Sequence, residues 1–478
     1  MTMAPNSGTR SVTVIGGGVA GMSAACALAE AGLRVHLVER RAYLGGRASS
    51  YLHPGVNEII DNCQHVLFGC CTNLVGFYNR IGCSDKVLWT GEMTMIEPGG
   101  RRSRLGPTPL LPPPLHGLPR LLAAHAFTRA DKLSLALAFR AMLQPIPQGS
   151  TETLAHWLAR HQQSPGAVDR FWKLVIASAL NAEIDTIAVP YAAKVIRELF
   201  MNSAEAGRMG INTVPLSELD AGVPQFLAAR GSSLHLSCSV DSIERDEETS
   251  QWTLTARNGV RHEPLRSDFL VLALPFEAME RLLPHMPPSH SADGLSEQIA
   301  RHRHWPISSA HLWFDREITE LEHAVLLDRE IHWLFNRTRL QPWRKAQGCY
   351  IEIEVSASRL FAARSRNDAI ALSLRELGEF FPAVKSAKLV KAALVKEVRA
   401  TFGVPPGIDL HRPAAQASPW PNCVLAGDWT ATGWPSTMES AARSGHLAAE
   451  AVCAEIGSPR QFLVPDLKPR GLMRLISK

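Results

Sequence analysis

The stretch Ser11-Val-Thr-Val-Ile15-Gly16-Gly17-Gly18-Val19-Ala20-Gly21 decides the fold of this chain. Its first five residues are an uncharged, β-branched run, which is typical of a buried parallel strand. Three glycines end the run, and small apolar residues at helical spacing continue to Gly32, which predicts a helix ended by a glycine. A second strand is predicted from Arg34 to Glu39, so the stretch opens a βαβ unit.

The glycines of this turn have the spacing of a dinucleotide-binding motif, Gly16-x-Gly18-x-x-Gly21. The first glycine permits the tight turn, the second lets the backbone approach a pyrophosphate, and the third lets the helix pack close to the strand. Val19 and Ala20 begin the helix, whose free amide groups and positive dipole end face the phosphates. Glu39 ends the second strand, where a carboxylate binds ribose hydroxyls. The turn therefore predicts a bound dinucleotide.

The composition is that of a globular enzyme with two or three domains. Of 478 residues, 46% are hydrophobic and 20% charged, so a large core is expected and wholesale disorder is excluded. The net charge of +5 comes from basic residues scattered among nearly as many acids, which excludes a nucleic-acid-binding surface. The nine cysteines lack metal-ligand spacing and predict reduced thiols in a cytoplasmic protein without a metal site.

The middle of the chain departs from the dinucleotide-binding pattern. From Thr108 to Pro147 prolines and leucines dominate, which predicts an inserted segment. The pattern returns near the end, where Cys423 to Asp428 predicts a strand and turn and Met438 to Ile456 predicts a helix. Between these segments, helices are predicted at residues 152–158, 171–180, 192–200 and 368–380, and strands at 234–240, 252–256, 269–274, 309–314, 332–335, 349–355 and 390–399.

These segments predict an α/β fold in which two domains interleave along the chain. One is a Rossmann-like dinucleotide-binding domain, and the other is a mixed α+β substrate domain whose helical part we expect to face a membrane. The predicted boundaries are 1–95, 226–290 and 405–465 for the first domain, 96–225 (helical part) and 291–404 (mixed sheet) for the second, and 466–478 for a basic tail.

A second turn follows the βαβ unit. Leu44-Gly45-Gly46-Arg47 places an arginine where it meets phosphate charge left exposed by the first turn. This pattern resembles that of the flavin amine oxidase and carotenoid desaturase superfamily, and so does the block from Leu425 to Gly445. The resemblance implies the amine oxidase and phytoene desaturase type of fold with FAD as cofactor. The implied FAD contacts are Glu39, Arg40, Gly46, Arg47, Gln64, His65, Val240, Gly427, Asp428, Thr437 and Met438, besides Gly16, Gly18, Val19, Ala20 and Gly21.

A third stretch, Ile60-Asp-Asn-Cys-Gln-His-Val-Leu-Phe-Gly69, narrows the resemblance. It is similar to the segment after the Gly-Gly-Arg turn in plant-type phytoene desaturases, and closer still to that of hydroxysqualene dehydroxylases, the squalene-associated FAD enzymes of hopanoid pathways. Ala179-Leu-Asn181 and Thr437-Met-Glu439 also match that family, so the resemblance spans most of the chain. The chain departs from it at Cys63, where the family usually has glycine, and at Cys70-Cys71.

The same stretch holds the candidate catalytic residues. Histidine has a pKa near neutrality, so His65 is suited to protonate a leaving hydroxyl while Asp61 and Gln64 orient it or bind the flavin. An equally simple interpretation is that Asp61 and Gln64 hold the cofactor and that His65 is a core histidine satisfied by its neighbours. Both interpretations stay open at this point.

Two segments combine basic and apolar residues. Residues 107–143 are rich in leucine and proline with four Lys or Arg residues, and the tail from Lys468 to Lys478 repeats the mixture. Such segments pack on their own protein or insert into a lipid headgroup layer, and a hydrocarbon substrate drawn from lipid favours the membrane. No run is apolar enough to span a bilayer and no secretory signal is recognised, so we expect a cytoplasmic protein on the inner face of the cell membrane.

The resemblance implies reductive removal of the allylic hydroxyl of hydroxysqualene, which gives squalene for hopanoid or other triterpenoid synthesis. The implied partners are this long-chain isoprenoid and other enzymes of squalene synthesis. Three alternatives stay open: a carotenoid or phytoene-type desaturase; a flavin amine oxidase, for which Trp429 and Trp434 offer a partial aromatic cage; and a non-catalytic prenyl-binding protein of the same fold. The intact glycines, Arg47 and Asp428 disfavour the last alternative.

Overall fold

The computed structural model describes residues 9–109, 111–147, 149–258 and 261–476. Within these ranges the strands are, in chain order, β1 (Ser11–Ile15), β2 (Arg34–Val38), β3 (Ser50–His53), β4 (Glu58–Asp61), β5 (Leu67–Phe68), β6 (Val87–Thr90), β7 (Met93–Ile96), β8 (Arg102–Leu105), β9 (Met209–Asn212), β10 (Ser233–His235), β11 (Cys238–Arg245), β12 (Trp252–Asn258), β13 (Arg261–Ser267), β14 (Phe269–Ala273), β15 (His304–Phe314), β16 (His323–Leu326), β17 (Trp333–Asn336), β18 (Cys349–Val355), β19 (Leu389–Phe402) and β20 (Cys423–Ala426).

The α-helices of the same ranges are α1 (Val19–Glu30), α2 (Thr72–Arg80), α3 (Leu118–Ala123), α4 (Arg129–Met142), α5 (Leu154–Arg160), α6 (Pro165–Ala167), α7 (Ala177–Leu180), α8 (Val189–Ile196), α9 (Leu216–Leu219), α10 (Val223–Ala228), α11 (Phe276–Leu282), α12 (Ala292–Ile299), α13 (Arg337–Leu340), α14 (Arg359–Ala363), α15 (Arg366–Phe380), α16 (Met438–Glu455) and α17 (Met473–Ile476). None of them is long and apolar enough to cross a membrane.

A five-stranded parallel sheet is built from three distant parts of the chain. Its strand order is β10-β2-β1-β14-β20, and every pair is parallel. β1 is the central strand, and residues Val12 to Ile15 are buried, as the β-branched run predicts. Since the strands are parallel, the turns that follow β1 at Gly16 and β20 at Gly427 lie at the same edge of the sheet. The predicted Rossmann-like unit is confirmed.

Helices α1 and α16 join the two ends of the chain through backbone contacts. α1 consists of small residues and is buried from Val19 to Ala29. Gly445 of α16 lies directly on it, because a Cβ added there would be 2.2 Å from the Ala20 carbonyl oxygen. Gly21 makes a similarly close contact with the turn after β1, because a Cβ added there would lie 1.8 Å from the Gly16 carbonyl oxygen. Only glycine fits these two positions.

A seven-stranded mixed sheet forms the second half of the molecule. Its order is β19-β15-β18-β17-β16-β7-β8, and its pairs are antiparallel except for β16 with β7. Helix α15 covers one face, where Ile370 and Leu377 pack with Ile351 and Ile353 of β18. The mixed sheet with one covering helix, predicted for this part of the chain, is confirmed.

The strand pairing moves one predicted domain boundary. The boundary between residues 95 and 96 falls inside β7, which pairs with β16 and β8 in the seven-stranded sheet. The first part of the dinucleotide-binding domain therefore ends before Met93. The remaining boundaries stay predictions.

The helical region differs from the prediction in the winding of its helices. The helices predicted at 171–180 and 192–200 include π-helical turns, at Val168–Ile176 before α7 and at Arg197–Met201 after α8. A π-helical turn adds a residue to the helical turn, and its occurrence depends on tertiary packing rather than on local sequence period. Both segments line the cavity described below.

We expect Gly445→Ala to lower the free energy of unfolding by about 1–3 kcal/mol, because its methyl group would force α1 and α16 apart. The matched control is Gly294→Ala, a glycine of α12 whose Cβ would meet no atom within 4 Å. Urea unfolding of both variants checks the expectation. Equal stability of the two variants would contradict the close packing of the helices.

Candidate active site

One cavity of about 1010 Å³ is lined by residues of both large sheets. One end is formed by the glycine turn after β1 and by the turns around Arg47 and Asp428. The part of the lining that comes from the π-helical segments and from β17 is mostly apolar. Its apolar side chains include Val66, Phe68, Met93, Val175, Val195, Leu199, Phe200, Met209, Trp333 and Phe335.

The first glycine turn leaves the start of α1 open to the cavity. Gly18 is the N-cap residue, and no side chain caps the helix. A Cβ at Gly18 would meet no atom within 4 Å, so the space in front of the helix is open. The first amide groups of the helix are therefore available to an anion.

The second glycine turn is bonded to the first. The Gly45 amide donates to the Gly17 carbonyl oxygen at 2.9 Å, and a Cβ at Gly46 would approach Gly18 Cα to 3.2 Å. Glu39 is fixed beside both turns, since its carboxylate accepts from the amides of Gly17 (2.7 Å) and Arg41 (2.8 Å). The carboxylate keeps further lone pairs for the hydroxyls of a ribose.

Arg47 and Asp428 form an ion pair between distant parts of the chain, with the carboxylate buried and the guanidinium partly exposed. Asp428 is 4% exposed, and it also accepts a hydrogen bond from the Ser436 hydroxyl. Burial alone would raise the pKa of Asp428, but the Arg47 guanidinium and the Ser436 hydroxyl outweigh it and hold that pKa below its usual value. Thr437 caps α16 by accepting from the Ser440 amide at 3.1 Å.

The structure brings almost all of the predicted cofactor residues to this cavity. Gly21 is the exception, because it packs on the Gly16 carbonyl group instead of lining the cavity. Val240 lies where the β11–β12 pairing is irregular. The predicted residues that line the cavity are Gly16, Gly18, Val19, Ala20, Glu39, Arg40, Gly46, Arg47, Gln64, His65, Val240, Gly427, Asp428, Thr437 and Met438.

Asp61 lies behind the cavity, not in its lining. It is 2% exposed and pairs with the guanidinium of Arg337, a residue that the sequence analysis missed. Its carboxylate also accepts from Ser50 Oγ (2.6 Å), Asn212 Nδ2 (3.0 Å) and the Leu216 amide (3.0 Å). With every acceptor position used, this carboxylate holds the segment in place, and the structure does not support its predicted catalytic role.

Arg337 organises a buried polar cluster beneath the cavity. The guanidinium donates to Gln64 Oε1 at 2.5 Å, and its Nε lies 3.6 Å from Glu352 Oε2. The Gln64 side-chain amide in turn donates to Asn212 Oδ1 at 2.9 Å. The available sequence signal was the pair of acids in the apolar strand Cys349-Tyr-Ile-Glu-Ile-Glu-Val355, since buried acids require partners.

His65 lines the cavity as a neutral imidazole. Its Nδ1 lies 3.0 Å from the Cys63 carbonyl oxygen, which can only accept, so Nδ1 carries the proton. Burial lowers the pKa of His65, and the bond to Cys63 only partly offsets this. Its remaining nitrogen is then an acceptor. The neutral form of the imidazole does not favour the predicted role of His65 as proton donor. That role stays a prediction.

The backbone conformation of Cys63 explains why a glycine suits this position. Its φ is +64°, in the left-handed region that glycine adopts without steric cost. Its side chain is buried at the cavity wall, near the Ile307 carbonyl oxygen. The thiol therefore adds bulk to the wall of the site.

The two tryptophans proposed as an aromatic cage do not face the cavity together. Trp434 lines it, but Trp429 is 1% exposed, does not line it, and donates its indole N–H to the Leu274 carbonyl oxygen at 2.8 Å. The partial cage expected for an amine oxidase is therefore not formed by this pair.

Fold and site define a dinucleotide-dependent oxidoreductase with an interleaved substrate-binding sheet. A sequence profile described as flavin containing amine oxidoreductase matches residues 19–453. The chain belongs to this flavin-containing amine oxidoreductase family.

Similar proteins include carotenoid desaturases. The chain is 27% identical to a probable zeta-carotene desaturase of Synechococcus elongatus, over 92% of this chain and 98% of that protein. It is 25% identical to the 15-cis-phytoene desaturase of the same organism, over 93% and 96% of the two chains.

Solved structures share the fold at lower identity. An oxidoreductase from Methanosarcina mazei has a TM-score of 0.70 at 16% identity and covers 93% of this chain and 100% of its own. Cyclohexylamine oxidase from Brevibacterium oxydans has a TM-score of 0.65 at 19% identity, with coverages of 94% and 100%.

The cofactor is FAD, and the cavity fits it. The uncapped start of α1 and the open space at Gly18 suit the pyrophosphate, and the fixed carboxylate of Glu39 suits a ribose. Arg47 supplies positive charge beside the second glycine turn. The protein is accordingly a flavin-dependent oxidoreductase.

We expect Asp61→Asn to lower the free energy of unfolding by about 3 kcal/mol at pH 7, because it leaves the buried Arg337 guanidinium without its main partner. The pKa of Asp61 is lowered in the folded protein, where Arg337 and several hydrogen bonds outweigh burial. Its stabilisation is therefore present above the usual carboxyl pKa of about 4 and is lost as the pH falls through the lower folded-state value. The difference from wild type should narrow in that acid range.

Urea unfolding measured from pH 7 down to pH 3 checks this. Asp169→Asn is the control, since its carboxylate pairs with Lys173 at the surface. An Asp61→Asn variant of normal stability and full FAD content, but without activity, would return Asp61 to a catalytic role.

Proposed function

We propose that the protein removes the allylic hydroxyl of hydroxysqualene reductively and releases squalene. The observation that carries this proposal is a cavity whose lining combines an FAD cradle with many apolar side chains. The reductive direction rests on the resemblance of the segment from Asp61 to Gly69 to the dehydroxylase family.

Different residues of the cavity bind the cofactor and the substrate. Arg47, Asp428 and the glycine turns hold the cofactor, which when bound supplies a hydride donor or acceptor. Trp333, Phe335 and the apolar side chains of the π-helical segments hold the hydrocarbon chain and exclude water. A long isoprenoid with a single hydroxyl group fits such a lining better than a soluble amine does.

The second candidate is desaturation of a carotenoid. It is favoured by the similar proteins, which are named as zeta-carotene and phytoene desaturases and match over nearly the whole chain. Desaturation would use the same cavity with the hydride moving in the opposite sense. The missing tryptophan pair disfavours an amine oxidase, and the complete FAD cradle disfavours a non-catalytic prenyl-binding protein.

We expect the purified holoprotein, reduced with dithionite, to convert hydroxysqualene into squalene in detergent or vesicles, as measured by mass spectrometry. Boiled enzyme and oxidised enzyme without reductant are the controls. Conversion of phytoene or zeta-carotene by the oxidised enzyme, with no squalene formed from hydroxysqualene, would replace the proposal by the desaturase. Peroxide production from polyamines would point instead to an amine oxidase.

We further propose that the protein takes this substrate from a bilayer with anionic headgroups. The two basic and apolar segments of the sequence meet in the structure, because the Leu472 amide donates to the Pro113 carbonyl oxygen at 2.9 Å. Large apolar side chains are exposed on both segments. They are Leu115, Leu122, Leu133, Leu137, Leu472 and Leu475, which we call the leucine face.

Helix α4 carries the centre of the leucine face on its exposed side. Its buried residues are Asp131, Ser134, Leu135, Ala138 and Met142, whereas Leu133 and Leu137 are 63% and 53% exposed. Arg129 and Arg140 lie exposed at the two ends of the same stripe. Apolar residues flanked by cations match an anionic lipid surface.

The leucine face is connected to the apolar lining of the cavity. Phe139 of α4 packs on Phe200, with the ring centroids 6.1 Å apart, and Phe200 lines the cavity. The helix that carries the centre of the leucine face therefore also packs on an apolar side chain of the cavity wall.

We expect the double variant Leu133→Ser and Leu137→Ser to bind phosphatidylglycerol and phosphatidylcholine vesicles at least about tenfold more weakly, because each leucine contributes roughly 1.5–3 kcal/mol when buried. Leu360→Ser is the control, since Leu360 is 81% exposed on α14, outside the leucine face. Vesicle flotation at low and high salt measures the effect. Unchanged binding of the double variant would refute the leucine face as the membrane contact.

A further inference from the structure

Strand β18 carries an unusual row of polar residues on its inner face. Tyr350, Glu352 and Glu354 alternate with apolar residues, of which Ile351, Ile353 and Val355 pack beneath α15. Within the sheet, Glu354 lies opposite Ser309 of β15 and Trp333 of β17. Two acids therefore lie on the inner face of the sheet, opposite Ser309 and His311 of β15.

The two glutamates have different surroundings. Glu352 is fully buried and is paired with Arg337 beneath the cavity. Glu354 lines the cavity itself, and no cation in the described part of the chain forms an ion pair with it. Its carboxyl Oε2 accepts a hydrogen bond from the backbone N–H of Gln64 at 2.8 Å.

Glu354 has neighbours that belong to the cofactor side and neighbours that belong to the apolar lining. Its donor Gln64 belongs to the segment whose Asn62 donates to the Arg47 carbonyl oxygen at 3.0 Å, next to the FAD cradle. Its ladder neighbour Trp333 is part of the apolar lining. The carboxyl group therefore lines the same cavity as the cofactor residues and the apolar side chains.

The environment of Glu354 favours the protonated form of this carboxyl group. Burial and the charge of Glu352 raise the pKa of Glu354 well above its usual value, and the single amide donor offsets this only in part. The backbone N–H of Gln64 donates to Oε2. In the neutral carboxylic acid the proton is therefore carried by Oε1. His65 contrasts with it, because burial makes that imidazole neutral and its proton is already donated to Cys63.

We propose that Glu354 is the acid that protonates the leaving hydroxyl, a role that rests on the proposed dehydroxylation. The allylic alcohol, the Glu354 proton and a hydride from the reduced cofactor give the hydrocarbon, water and the Glu354 carboxylate. The carbon–oxygen bond breaks with both electrons leaving on oxygen, and the hydride supplies the pair for the new carbon–hydrogen bond. The carboxylate then recovers a proton from solvent, and an external reductant such as dithionite restores the reduced cofactor.

Glu354→Gln preserves shape and removes the acid. We expect it to keep full FAD content and to lose about 10²–10⁴-fold in kcat with hydroxysqualene. With the analogue that carries an allylic chloride in place of the hydroxyl, the variant should match wild type, because chloride leaves without a proton. Glu317→Gln is the control, since Glu317 lies at the surface and pairs with Arg339.

The pH profile distinguishes an acid from a structural residue. The wild-type rate should fall as the pH rises through the pKa of Glu354, and this alkaline limb should be absent in Glu354→Gln. The other ionisable groups around Glu354 are Glu352 on its own strand, Cys63 and His65 on the facing segment, Asp61 and Arg337 beneath it, His311 on β15 and Glu397 on β19. They are intact in the variant, so any limb that persists belongs to them and would overturn the proposal.

Infrared spectroscopy of the holoprotein tests the protonation state without turnover. The wild type at pH 7 should show a buried carboxylic-acid carbonyl band that Glu354→Gln lacks. Absence of this band, or an equal loss of rate on alcohol and chloride, would overturn the role of Glu354. A wild type that shows the band but forms no squalene would refute the proposed function instead.

Discussion

The ion pair between Arg47 and Asp428 is the interaction on which the rest of the site depends. It joins residues 381 positions apart in the chain, at a point where burial would otherwise penalise both charges. Arg47 also donates to the Ala400 carbonyl oxygen of β19 at 2.9 Å. The second glycine turn, the seven-stranded sheet and the C-terminal turn therefore meet at one guanidinium, and the cavity exists because these three parts are held there.

The parts of the fold that the sequence predicted correctly have local causes. β1, α1 and β2 follow from a β-branched run, a glycine turn and a glycine stop, each readable within a few residues. The cofactor residues were found for the same reason, since glycine turns and the acids that follow strands are local patterns. The π-helical turns near Phe200 could not be predicted from the sequence, because they arise from packing around a cavity made by distant strands.

The polar cluster beneath the cavity shows where prediction from sequence stops. Asp61 and His65 lie four positions apart, yet one points to Arg337 and the other lines the cavity. The spacing of the two residues in the sequence does not predict which of them faces the cavity. That depends on Arg337, which lies in a distant part of the chain and pairs with Asp61. Glu354 escaped notice because two glutamates in a strand ordinarily mark a solvated face, and only the tertiary structure shows that this face is internal.

The parallel sheet also dictates when the protein can fold during synthesis. β1 and β2 are made first, but β14 arrives only after the whole helical region, and β20 and α16 arrive near the end. Until then the free edge of β1 and the apolar side of α1 have no cover, which makes the growing chain prone to aggregation. The same topology means that a ribosome stalled before residue 438 releases a chain without the helix that completes the cofactor cradle. Cofactor capture therefore requires that α16 has been synthesised.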